Sequence, residues 1–144
     1  VSRRGDKGQI AGIEGVAFGV LVLILGILVV ANAWAVVDAK LAASAAAREA
    51  ARAYAESDGV SPDSDAIDAA LATVASHGRN PERTSIDLGS ARWERCARVT
   101  VTVRYDGTLA AIPILHHLRG FTVTAEHSEV VDPYRSGIPG EASC

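Results

Sequence analysis

Between Gly15 and Val37 the chain runs GVAFGVLVLILGILVVANAWAVV, 23 residues without one charged side chain. About 20 apolar residues in a helix cover the roughly 30 Å hydrocarbon core of a bilayer, so the stretch is long enough to span. A helix that is apolar on every side must otherwise be enclosed by protein. In a chain of 144 residues too little remains to enclose it. Ala31-Asn32-Ala33, inside the run, matches the small-x-small pattern at which secretory signals are cut. Against cleavage there, apolar residues continue through Trp34 to Val37 and no helix breaker precedes the small residues. A retained membrane helix is thus the leading expectation, and a domain released after Ala33 is the alternative.

Arg3, Arg4 and Lys7 precede the run, while Lys40, Arg48 and Arg52 follow it, so a bare count of cations does not orient the span. Their density favours an inner N-terminus and an outer C-terminal part, because of the latter three only Lys40 lies close to Val37. The first residue is Val1 rather than Met, which leaves the true start open. Of the 14 basic residues all but Lys7 and Lys40 are Arg, a bias that suggests a GC-rich bacterial genome.

From Asp38 to Ser57 there is neither Gly nor Pro, and Ala predominates, so the membrane helix is expected to continue outward as one rod. Lys40, Arg48, Glu49, Arg52 and Glu56 suit a solvated side; Leu41, Ala45 and Ala51 leave a smooth one. Such a smooth side can receive a helix of a partner or pack on the chain's own sheet.

Asp58-Gly59 ends the rod, and Ser61-Pro62-Asp63 supplies an N-cap, a proline at the first helical position and an acid in the first turn. Ile67, Ala70, Leu71 and Val74 recur at helical spacing as the buried stripe of a second helix, which Gly78 closes. Thr84 to Leu88 is a short strand candidate. Val99, Val101, Val103 and Tyr105 alternate with Thr100, Thr102 and Arg104, one face dry and one wet. Asp106-Gly107 reads as a turn, and the alternation resumes at Phe121 and runs toward Val131. The apolar stretch Leu109 to Leu118, broken by Pro113, is far too short to span and reads as a cover for the core or as a patch for a membrane or partner. From Asp132 onward Pro133, Gly137, Pro139 and Gly140 predict an irregular, mobile tail.

No catalytic arrangement emerges, and the chain is expected not to be an enzyme and to carry no cofactor. His116 and His117 are adjacent and His77 and His127 remote, so no zinc spacing is met. No phosphate-cradling glycine loop or nucleophile elbow is present. A net charge of -3 with interspersed signs argues against nucleic acid as a partner. Cys96 and Cys144 both fall outside the span, where a disulfide can persist. An internal bridge, two free thiols and an intermolecular bridge all remain open.

Ahead of the span stands RRGDKGQIAGIEG: a basic patch, Gly8, and a single carboxylate, Glu14, at the membrane edge. An acid there is costly unless it has a partner. This segment resembles the TadE-like proteins of tight-adherence pilus systems, whose N-termini share a type IV pilin-like pattern of basic leader, glycine, short linker, glutamate and long apolar helix. WAVVDAKLAASAAAREAARAYAES looks like the family's alanine-rich helix, and TVTAEHSEVV resembles its closing strand. The resemblance implies that a prepilin peptidase cuts after Gly8, leaving Gln9 as the new N-terminus. The family glutamate is typically fifth after the cut and followed by Phe; here Glu14 would be sixth and is followed by Gly15. It further implies that Glu14 meets the new amino group of a neighbouring subunit, where a bare charge is strongly disfavoured.

The expected fold is α+β: a basic cytoplasmic leader (1–14), a transmembrane helix (15–37), its outer extension (38–57), a small domain with two or three antiparallel strands (58–131), and a tail (132–144). The expected role is structural, as a minor pilin or pseudopilin-like component of a pilus or secretion apparatus in a bacterial cytoplasmic membrane. Its partners would be membrane lipid and other pilin-like or assembly subunits. The alternative is a secreted or singly anchored binding domain unrelated to pili.

Overall fold

A computed structural model of the chain describes residues 10–90, 92–109, 120–141 and 144, with side chains from Glu14 onward in the first helix. The elements are α1 (Ile10–Glu56), α2 (Pro62–Ser76), a 3-10 turn (Pro81–Arg83), β1 (Thr84–Asp87), β2 (Arg98–Thr108) and β3 (Gly120–Val130). The three strands form one antiparallel sheet in the order β1-β2-β3. The fold is α+β, as expected.

Helix α1 is a single uninterrupted run of 47 residues, about 70 Å at 1.5 Å per residue. The same rod has two environments. Its most apolar stretch has a mean hydropathy of 2.8 and none of it is buried against the rest of the chain. Among the described residues this is the one helix long and apolar enough to cross a membrane, and it lies near the N-terminus, consistent with single-pass anchoring.

The C-terminal half of α1 is the spine of the core. Ala39, Ala43, Ala46, Ala47, Ala50, Ala51 and Tyr54 are buried, a stripe repeating every three or four residues. Alanine methyls keep the helix axis close to its neighbours, so larger side chains can fill in from the other layers. These are Val99, Val101, Val103 and Tyr105 of β2, Val123 and Ala125 of β3, and Val74 of α2. The alternation read in β2 is thus the alternation of burial, every second residue from Val99 to Tyr105 facing α1.

Four local expectations are corrected. Asp106-Gly107 is not a turn: β2 continues to Thr108, with Gly107 opposite Phe121 and Thr108 opposite Gly120. The glycine makes room rather than reversing the chain, since a Cβ at Gly107 would lie 2.2 Å from Cζ of Phe121. Gly107→Ala is therefore expected to displace that ring and lower stability by about 1–2 kcal/mol, read by denaturation in detergent, with Phe121→Ala in the same chain reducing the further cost of the methyl. The stretch Leu109 to Leu118 lies, after its first residue, outside the described residues.

In α2 the buried stripe is Ala66, Ala70 and Val74, while Ile67 is exposed and Leu71 half-buried. Close approach to α1 selects the smaller alanines and turns the larger Ile67 to the rim. Pro62 begins the helix as expected, but the Ser61 side chain makes no capping bond; instead Ser57 Oγ donates to Asp65 Oδ2 at 2.6 Å. Gly78 does close the helix: at φ +68 it donates its N–H to the Ala75 carbonyl while Arg79 N–H reaches that of Val74, the paired bonds of a glycine-terminated helix.

The tail is irregular, but it is held. The Arg95 N–H donates to the Pro139 carbonyl at 2.8 Å, and its guanidinium donates to the Arg135 carbonyl at 3.2 Å. Ile138 is buried in the core. A disulfide joins Cys96 to Cys144, with Cα atoms 5.3 Å apart.

Candidate functional site: the long N-terminal helix

Glu14, the candidate assembly carboxylate, stands exposed near the start of α1. Gly8 and Gln9, the candidate processing pair, lie outside the described residues. Beyond Glu14, one side of the helix carries a shallow apolar groove lined by Val22, Leu23, Gly26, Ile27, Val30 and Ala31. Gly26 meets nothing within 4 Å of where a Cβ would stand. Such a surface can make only van der Waals contacts, with lipid chains or another helix. The single amide in this part of the chain is satisfied locally, since Asn32 Nδ2 donates to the Leu28 carbonyl at 2.8 Å.

Where the apolar run ends, the domain is clamped to the helix. Asp38 accepts a hydrogen bond and ion pair from Arg79, which follows α2. That bond holds the guanidinium pKa above its ordinary value, against the opposing effect of burial. Two residues further on, Lys40 Nζ donates to the Thr124 carbonyl of β3. Trp34 is 72% exposed just below, the placement of an indole at a bilayer interface. Sequence reading treated Lys40 only as a solvated charge and did not find the Asp38–Arg79 pair, whose members lie 41 positions apart.

On the C-terminal half of α1, Arg48, Glu49, Arg52 and Glu56 are exposed, and Arg52 Nε lies 3.0 Å from Glu56 Oε1. The Glu56 hydrogen bond and charge push the Arg52 pKa up. The smooth side divides differently from expectation: Ala51 is buried, Ala45 half-buried, and Leu41 exposed away from the core. The chain's own sheet and α2 occupy the alanine stripe. At the far end, Arg52, Glu56, Glu129, Asp132 and Arg135 line a cleft of mixed charge.

The remaining candidates are dispersed. His77 ends α2 with Nδ1 2.9 Å from the Thr73 carbonyl, and His127 on β3 lies 3.5 Å from Glu129. His116 and His117 lie outside the described residues. Among the described residues, no three His, Cys, Asp or Glu side chains are grouped so as to hold a metal ion. Cys96 and Cys144 alone are brought together, as the disulfide. Trp93, which sequence reading passed over, ties the loop before β2 to the rod by donating Nε1–H to the Tyr54 carbonyl at 3.0 Å. Compared with protein-family models, curated proteins and solved structures, the chain finds no match.

Proposed function

We propose that this protein is a membrane-anchored structural subunit, a minor pilin or pseudopilin-like component of a tight-adherence type pilus or secretion apparatus, with its α+β domain outside the cytoplasmic membrane. The observation that carries the proposal is the division of α1: one continuous helix whose first half is apolar and unburied and whose second half is the spine of a small domain. That division suits a subunit that is held in lipid before assembly and packs through its helix afterwards. The resemblance of the N-terminal segment to TadE-like proteins supplies the kind of apparatus, and the basic residues ahead of the span support an inner N-terminus.

In this proposal Glu14 is the assembly carboxylate, meeting the amino group of a neighbouring subunit in a medium where neither charge is tolerated alone. The N-terminal residue of the mature protein is the deciding measurement: Gln9 supports the pilin route, Trp34 the secreted alternative, and an uncut chain an ordinary anchor. Glu14→Ala is expected to leave membrane insertion unchanged and to reduce recovery in crosslinked assemblies by roughly tenfold or more, the scale of an unpaired charge in a low dielectric. Undiminished assembly would remove Glu14 from this role.

A further inference from the structure

The height of the sheet along α1 can be read from two contacts. Lys40 bonds the Thr124 carbonyl, and Arg52 shares a cleft with Glu129. From Lys40 to Arg52 the helix rises about 18 Å, and from Thr124 to Glu129 the strand rises about 17 Å. β3 therefore runs alongside α1 with little divergence. From Thr124 back to Gly120 the strand descends about 13 Å, as far as about nine residues of helix. Gly120, and Thr108 paired with it, thus lie level with Ala31, below Trp34 and beside the apolar run.

Burial on the helix agrees independently. Between Glu14 and Val37 every described side chain is exposed except Leu28, Asn32, Ala35 and Val36, which are half-buried. Their spacing marks one helix face, continuous with buried Ala39. Val36, which packs against the core, carries that covered face into the uncharged stretch.

We infer that the lower end of the β2–β3 ribbon, Asp106–Thr108 and Gly120–Thr122, is seated in the outer interface of the bilayer, making a second lipid contact beside the anchor. The inference rests on the membrane-anchor proposal. The chemistry of the ribbon end suits the site. Thr108, Gly120 and Phe121 are uncharged; Asp106, one pair higher, accepts a hydrogen bond from Thr122 Oγ1 at 2.6 Å. Lys40 and Arg79 stand just above, at the height of the lipid phosphates. The sequence joining the strand ends is the apolar proline-broken stretch Leu109 to Leu118, followed by Arg119. The domain consequently cannot swivel freely on a stalk: one edge is immersed.

Quenching of tryptophan emission by brominated lipid tests this in vesicles carrying the full chain. Three single-indole proteins are compared: Trp93→Phe, which retains Trp34; Trp34→Phe, which retains Trp93 at the far end; and Thr108→Trp with both native indoles replaced by Phe. Thr122→Trp in that last background serves as a second probe should Thr108→Trp fold poorly. The introduced indole is expected to lose emission to a degree comparable with Trp34 and roughly fivefold or more that of Trp93. Quenching of Trp34 with neither introduced indole quenched beyond Trp93 overturns the immersed ribbon and leaves the anchor standing. Absence of quenching at Trp34 itself overturns the anchor, and the immersed ribbon with it.

Discussion

Removal of the Cys96–Cys144 bridge by Cys96→Ser with Cys144→Ser is expected to lower the stability of the α+β domain by about 4 kcal/mol. The bridge closes a loop of sequence separation 48, and on the chain-entropy account a loop of that size restricts the unfolded chain by about 4 kcal/mol at room temperature. What the loop contains makes the full amount relevant. It spans β2, β3 and the tail that carries buried Ile138, so its opening frees both ends of the ribbon. Denaturant unfolding of the detergent-solubilised chain, with and without reductant, measures it; a loss under about 1 kcal/mol would show that the tail is held chiefly by its hydrogen bonds and Ile138.

A companion variant separates two effects at the same position. Cys96 sits at φ +63, the only non-glycine residue with positive φ among those described. A left-handed backbone at a residue with a side chain costs about 1 kcal/mol. Cys96→Gly with Cys144→Ser loses the bridge but relieves that strain. It is expected to be more stable than the double serine variant by several tenths of a kcal/mol to about 1 kcal/mol, less whatever glycine adds to unfolded-state entropy.

What could be read from the sequence, and what could not, follows from the range of the interactions concerned. The rod was legible because its causes are local: an uncharged run, then twenty positions without a breaker. The strand from Val99 was legible because a sheet with one wet face alternates strictly, and the sheet's outer face is indeed the Thr-rich one. Asp106-Gly107 was misread since the same dipeptide that favours a turn can also serve a strand, and the reason for this glycine is a ring 14 positions away. Ile67 was misplaced because hydropathy ranks isoleucine above alanine, whereas close helix approach ranks them the other way. The Cys96–Cys144 pairing depends on a distance that spacing does not contain. Glu14 was singled out by pattern and resemblance, and the fold adds only its exposure.

The alanine stripe is where the fold should tolerate enlargement least. Ala46→Leu and Ala50→Leu are each expected to destabilise the domain by about 2–3 kcal/mol, because both positions are fully buried and surplus methylenes in a packed core force neighbours off their rotamers. Leucine is the informative substitute: its helix propensity is close to that of alanine, so the loss reports packing rather than helix formation. Arg48→Leu, on the exposed side of the same two turns, controls for the added bulk and is expected to stay within about 0.5 kcal/mol. The direction also distinguishes the two uses of the helix. Were the stripe a surface reserved for a partner subunit, both alanine variants would fold with unchanged midpoints and fail only in assembly. Packed as it is against Val99, Val101 and Val103, the stripe should register the substitution in the isolated chain, as an earlier denaturation midpoint and weaker near-ultraviolet circular dichroism from Tyr54 and Trp93.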